Sequence, residues 1–113
     1  MLGLPFSNGV TPMFKIVPNP TFPADVTIVS HGEEQTIKMT FRAKTRDEYQ
    51  ALLKKAKDDA SAAEVFLELV DSWEADLPLD KSGVKALQQH RPGAEWLIIQ
   101  AYGDKLIAAR KGN

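Results

Sequence analysis

Residues 24–43, with the sequence ADVTIVSHGEEQTIKMTFRA, contain two runs in which apolar and polar residues alternate, separated by a polar stretch. The apolar positions of the two runs are Val26, Ile28, Ile37, Met39 and Phe41. Because successive side chains of a strand point to opposite faces, each run predicts a strand with one core-facing side and one solvent-facing side. The polar stretch contains Gly32, which can adopt a positive φ angle, so the two strands are expected to form a β-hairpin.

A two-stranded hairpin is only marginally stable in water, so its apolar row needs a partner. The segment MFKIV, residues 13–17, is a candidate third strand. The remaining cover is expected from the helical sequence that follows the hairpin.

Residues 45–111 have the apolar spacing of helices. Thr45 and Glu48, and again Ser61 and Glu64, stand three residues apart before an apolar period, which is the spacing of a capping box. Apolar residues then recur at helical intervals, at Tyr49, Leu52, Leu53 and Ala56 in the first helix and at Val65, Phe66, Leu69, Val70 and Trp73 in the second.

Two more helices are expected. A short one is predicted over residues 82–90, with Val84 and Leu87 facing inward. Pro92 suits the first turn of a fourth helix, where its missing N–H costs nothing. Gly103 inside that helix predicts a close approach of another element or a bend. The fold class is therefore α+β, an N-terminal β-hairpin followed by a bundle of about four helices.

The 113 residues suit a single domain, which we place at residues 24–113. Residues 1–23 hold five of the seven prolines and predict an arm without long regular structure. Because Met13 begins a second suitable start, residues 1–12 are either an upstream or cloning-derived extension or part of an arm that orders on a partner.

Composition narrows the classes of function. Lys plus Arg is 14 and Asp plus Glu is 15, so the basic excess typical of nucleic-acid binding is missing. The longest apolar stretches, such as residues 96–99, are far shorter than a membrane span, and the first ten residues lack the basic start of a secretory signal. The sequence has no cysteine, which suits a reducing compartment.

No pattern of residues predicts catalysis. His31 and His90 are too far apart in sequence to suggest a metal site, and the adjacent carboxylates Glu33 and Glu34 suit a solvated turn. The serines lack a nucleophile motif, and the glycines form no phosphate-binding loop. We therefore expect no enzyme activity, no cofactor and no metal.

The two tryptophans carry the most information about binding. Trp73 and Trp96 lie on apolar stripes, for which core packing is the simplest interpretation. The alternative is that one of them borders an exposed groove, since tryptophan is a favoured anchor between proteins. Trp73 is followed by an acidic loop with two leucines, residues 74–79, which favours this alternative.

The second half of the chain has a recognisable order of motifs. Trp73 ends an apolar helix, DLPLD follows at residues 76–80, PGA at residues 92–94, AY at residues 101–102 and AAR at residues 108–110. This order resembles the C-terminal part of the tail assembly chaperones of long-tailed bacteriophages, in which a hairpin and a capped helix come first. The resemblance covers roughly residues 13–113, and its C-terminal third is the most specific part.

The resemblance implies a non-enzymatic protein of the bacterial host cytoplasm that is absent from the finished virion. Such chaperones bind the hydrophobic tape measure protein, keep it soluble and help to recruit tail tube subunits, and many have a longer frameshifted form. A hydrophobic groove for an amphipathic helix would serve this role, and self-association is a further expectation. The candidate contact residues are Phe14, Phe22, Trp73, Leu77, Leu79 and Tyr102.

Three other interpretations compete with this one. Another phage tail or connector component would be incorporated into virions, and a small host adaptor domain would lack a neighbouring tape measure gene. An enzyme would need a pocket with converging polar groups, for which the sequence supplies no constellation.

Overall fold

The computed structural model describes residues 12–111. Within that range the elements are β1 (Thr21–Ser30), β2 (Glu33–Arg42), α1 (Arg46–Lys55), α2 (Asp59–Leu69), β3 (Val70–Trp73), α3 (Lys81–His90) and α4 (Ala94–Leu106). The predicted α+β class, with a hairpin followed by about four helices, is confirmed. Residues 1–11, most of the predicted extension, lie outside the described residues. No helix within residues 12–111 combines the length and apolar character needed to cross a membrane.

The hairpin has the predicted strands and turn. β1 and β2 pair antiparallel without interruption from Thr21 opposite Arg42 to Ser30 opposite Glu33. The two turn residues have positive φ angles, 55° at His31 and 75° at Gly32. Positive φ at both central residues is the requirement of a type I′ turn, whose twist matches that of the paired strands.

The prediction for the third strand was wrong. Residues 13–17 form no strand, and β3 pairs instead with β2 on the side away from β1. The predicted second helix accordingly ends at Leu69, and its last apolar positions belong to β3. β-branched Val70 suits a strand paired with Phe41, and the Arg42 guanidinium lies 3.2 Å from the Asp71 carboxylate beside this pairing.

Helix starts are confirmed at α1 and corrected at the later helices. Thr45 and Glu48 form the predicted capping box. At α2 the box lies three residues earlier than predicted, because the Asp58 carboxylate accepts from the Ser61 N–H at 2.9 Å, which makes Ser61 the third helical residue and not the cap. At α4 a left-handed Gly93 precedes the first helical residue, so Pro92 lies outside the first turn in which it was predicted.

The core lies between the inner face of the sheet and the helices. Its fully buried large side chains are Phe41, Val65, Phe66, Leu69, Val70, Val84, Ile98, Ile99 and Tyr102. At Gly103 a Cβ atom would lie 2.6 Å from the Tyr49 hydroxyl oxygen, so the predicted close approach at this glycine is confirmed. The Tyr49 hydroxyl donates to the Ile99 carbonyl at 2.8 Å and joins α1 to α4.

Candidate protein-binding groove

The apolar face of the hairpin extends further toward the turn than the elements that cover it. Val26 and Met39 are buried, whereas Ile28 and Ile37, nearer the turn, are only half-buried. β3 is four residues long and pairs with β2 only from Met39 to Phe41. The turn half of the hairpin therefore has an apolar inner face without a strand beside it.

A groove of about 540 Å³ follows this uncovered face. Its floor includes Ile28 and Ile37 of the hairpin, and Leu87 of α3 lines it from the helical side. The opposite wall comes from Trp73, the last residue of β3, and from Leu77 on the loop that follows. Apolar side chains thus line the centre of the groove, an arrangement common to surfaces that bind apolar partners.

The loop that forms this wall is fixed to the helices. The indole N–H of Trp73 donates to the Leu77 carbonyl at 2.8 Å, and its ring packs edge-on against Phe66 at a centroid distance of 5.8 Å. The backbone of Pro78 rests directly on Gly83 of α3, where a Cβ atom would have no room. The absence of a side chain at Gly83 therefore lets the loop pack against α3.

Arg91 closes one end of the groove. Its guanidinium donates to the Ser30 carbonyl at 3.4 Å and lies 3.9 Å from the Glu33 carboxylate. These contacts tie the hairpin turn to the C-terminal end of α3. Because the Glu33 side chain is largely exposed, solvent screens the pair, and its main effect is to position the two elements.

The rim of the groove is mainly acidic. Glu33 lies at the hairpin turn, and Glu74 and Asp76 lie on the loop after β3. His90, the last residue of α3, and Arg91, which caps the helix, also line the groove. An apolar floor beneath a rim with more carboxylates than cations favours apolar partners that also carry lysine or arginine.

A comparison with known protein families matches residues 12–113 to the family described as phage tail assembly chaperone. The chain belongs to this family. The match spans every described strand and helix and confirms the resemblance predicted from the C-terminal motifs. No curated protein sequence and no solved structure matches the chain.

The structure of this tail assembly chaperone brings two of the six predicted contact residues together in the groove, Trp73 and Leu77. Leu79 is half-buried beside them, where it packs against the core and borders a shallow depression of the same loop. Phe14 is 89% exposed on the segment before β1. Whether these residues contact a partner stays a prediction.

The other two predicted contact residues lie in the aromatic part of the core, at the opposite end of the hairpin. Tyr102 has no exposed surface in this structure, so it offers no contact surface to a partner here. Its hydroxyl donates to the Arg42 carbonyl at 2.8 Å and accepts from the Lys44 N–H at 2.8 Å, which accounts for its burial. Phe22 is half-buried, with its ring 5.6 Å from that of Phe41.

Several groove residues were not predicted to belong to a site. Ile28 and Ile37 were assigned to the core from their alternation, which predicts the inner face but not how far the helices cover it. Leu87 was predicted to face inward from the third helix, but not to line a groove. Arg91 gave no signal, because its contact with Ser30 joins residues 61 positions apart.

A buried polar pair lies outside the groove. Gln88 donates to the Asp59 carbonyl at 2.8 Å and to a Glu95 carboxylate oxygen at 3.2 Å, and thereby links α2, α3 and α4. The other Glu95 carboxylate oxygen is buried without a hydrogen-bond partner within the described residues. Across residues 12–111, no three residues of the types His, Cys, Asp and Glu are grouped as metal ligands.

Proposed function

We propose that this tail assembly chaperone binds the tape measure protein of its phage in the host cytoplasm, keeps it soluble and helps to recruit tail tube subunits around it. The supporting observation is the groove between the hairpin, α3 and the loop after β3, with an apolar floor and an acidic rim. The proposed ligand is an amphipathic helix of the tape measure protein.

The size of the groove suits a short helical segment. The β2 residues that line it are Glu33, Gln35, Thr36 and Ile37, which span roughly 13 Å of strand. This length corresponds to about two turns of a helix, which present two or three apolar side chains on one face. Those side chains would contact Ile28, Ile37 and Leu77, while the polar face of the helix stays in water.

Weak binding at each groove is sufficient for the proposed role. A long partner with many apolar stripes aggregates unless the stripes are covered. Several chaperone copies along one partner can each cover one stripe, so no single copy has to cover the whole partner. The acidic rim further predicts that bound segments carry lysine or arginine beside their apolar residues and that binding weakens with added salt.

The test is co-expression with the tape measure protein of the same genome, followed by measurement of the soluble, co-purifying fraction. Leu77→Asp places a charge in the groove, and Leu97→Asp is a matched control on α4, because both leucines are 47% exposed. We expect the wild type and the Leu97→Asp variant to keep the partner soluble and the Leu77→Asp variant to lose most of this effect. Equal behaviour of the two variants, with both folded, would rule out the groove.

Tube recruitment needs a separate measurement. Purified tail tube protein added to the soluble complex should co-sediment with it, and should not do so with the chaperone-free tape measure fragment. A tube protein that ignores the complex contradicts this part of the proposal and leaves the solubilising role intact.

A further inference from the structure

The segment before β1 exposes an unusual run of apolar side chains. Met13, Phe14, Ile16 and Val17 are 96%, 89%, 85% and 75% exposed, respectively. We call residues 13–17 the exposed segment. Four large apolar side chains within five residues, all in water, indicate a surface that is covered in another state of the protein.

The turn half of β2 has a free backbone edge. The Glu74 N–H donates to the Lys38 carbonyl at 2.8 Å, which shows that the backbone of Lys38 faces away from β1. Residues two positions apart in a strand face the same side, so the N–H and C=O groups of Glu34 and Thr36 face that side too. Within the described residues no strand pairs with them there, and this edge borders the groove.

We propose that the groove of one copy binds the exposed segment of a second copy, as a strand added to the free edge of β2. This inference rests on the groove of the proposed function and states what occupies the groove when no tape measure helix is bound. The second copy would cover the apolar floor and its own apolar run at the same time. A tape measure helix would then have to displace it.

The alternation of the exposed segment fits this pairing. In an added strand, Phe14 and Ile16 point to the same face and would enter the groove, while Lys15 points to the outer face. Lys15 is the single charged residue among residues 12–24. Its positive charge would lie near Glu34 on the outer face of β2, so the segment and the edge are complementary in charge.

The same segment cannot reach the groove of its own chain. It leaves β1 at the end remote from the turn, where the Ala43 N–H donates to the Pro20 carbonyl at 2.8 Å. Residues 17 and 21 can be at most about 14 Å apart. Pairing of residues 14–16 with Glu34 to Thr36 would place Val17, even in the nearer strand direction, at the level of Ile37. That level is roughly 17 Å along the sheet from Thr21 and two strands, about 10 Å, across it. Pro18 and Pro20 restrict the linker further. The occupant is therefore a second copy.

The first test compares two prolines at opposite edges of the hairpin by sedimentation of the full chain without any phage partner. Thr36 and Thr27 are cross-strand partners whose hydroxyl oxygens lie 2.8 Å apart, so Thr36→Pro and Thr27→Pro lose the same contact. Thr36→Pro blocks the free edge of β2 and should weaken self-association about tenfold or more, whereas Thr27→Pro blocks the outer edge of β1 and should not. Dissociation by Thr27→Pro, or a monomeric wild type at all attainable concentrations, overturns the proposal.

A double variant in the exposed segment tests the same contact without a proline in the sheet that could disturb folding. Phe14→Ser combined with Ile16→Ser changes only exposed side chains and should also abolish self-association.

Cross-linking tests which residues meet. Because the chain has no cysteine, a Phe14→Cys copy mixed with a Leu77→Cys copy should form a disulfide-linked heterodimer under mild oxidation. Phe14→Cys mixed with Val29→Cys, on the outer face of β1, should not, and equal yields would overturn the proposal. Since no tape measure protein is present, failure here leaves the proposed function untouched, and failure of helix binding leaves this result untouched.

Discussion

The indole nitrogen of Trp73 donates to the backbone carbonyl of Leu77 at 2.8 Å, which closes the loop after β3 into one wall of the groove. The same ring packs edge-on against Phe66, which is fully buried. Both interpretations of Trp73 from the sequence, as a core residue and as a groove residue, therefore apply. Its ring packs against the core and also lines the groove.

Replacing Trp73 by Phe should separate these two roles. Phenylalanine keeps most of the apolar contact but cannot donate to Leu77, so we expect the free energy of unfolding to fall by about 1 kcal/mol or somewhat more. The loosened loop should weaken binding of a tape measure peptide severalfold. Trp96→Phe is the control, because Trp96 packs against the core outside the groove lining. Chemical denaturation and peptide titration of both variants measure the difference, and equal loss of peptide affinity would contradict the wall assignment.

Gly83→Ala should be destabilising although alanine is the better helix former by about 1 kcal/mol. The new methyl group would meet the backbone carbonyl of Pro78, which cannot rotate away as a side chain can. We expect a net loss of about 2 kcal/mol in the free energy of unfolding and displacement of the loop that carries Leu77.

Gly103→Ala provides the comparison for this effect. There the methyl group would meet the side chain of Tyr49, and Tyr49 can shift at the cost of its hydrogen bond to Ile99. A smaller loss is therefore expected than at Gly83. Thermal denaturation of the two alanine variants ranks them, and a more stable Gly83→Ala protein would show that the loop is not held as described.

The sequence predicted local features well because their causes are local. Alternation in residues 24–43 and the positive φ of Gly32 are sufficient for the hairpin, and Thr45 with Glu48 is sufficient for the start of α1. The end of α2 was missed because Val70 joins β2 through pairing with Phe41, a contact that helical periodicity cannot show. Ser61 was misassigned because Asp58, an equally suitable cap, lies three residues earlier.

The groove was predictable only in part. The apolar residues of the loop after Trp73 suggested it, and Leu77 does line it. Tyr102, a predicted contact residue, is buried under the open end of the hairpin, through a contact with Arg42 that helical periodicity does not show. The floor of the groove exists because β1, with ten residues, and the equally long β2 extend past β3, which has four. Tertiary packing sets this difference in length, so the sequence pattern does not show it.

Alkaline pH should unfold the protein through Tyr102, which is buried, and Tyr49, which is half-buried. Burial raises the pKa of Tyr102 and of Tyr49 above the ordinary value of 10.0. Since both pKa values are higher in the folded state, their contribution to stability is complete below pH 10 and is lost as the pH rises through the folded-state values. Tyr102→Phe should lower stability by roughly 1–3 kcal/mol at neutral pH, because it leaves Arg42 and Lys44 backbone groups without their partner. It should also flatten the alkaline decline, and an unchanged decline would assign it to other groups.

Acid should loosen the starts of α1 and α2. Hydrogen bonds from Thr45 lower the pKa of Glu48 below 4.5, and hydrogen bonds from Ser61 lower the pKa of Asp58 below 3.8. For carboxyl groups with depressed folded-state pKa values, the stabilisation is present above the unfolded values and is lost as the pH falls through the folded ones. Glu48→Gln and Asp58→Asn keep hydrogen-bonding caps without a titrating group, so their unfolding free energies should fall less steeply than that of the wild type between neutral pH and about pH 3. Helical circular dichroism during unfolding at each pH measures these free energies. If they fall with pH at the same slope in all three proteins, the acid sensitivity arises from carboxylates other than these caps.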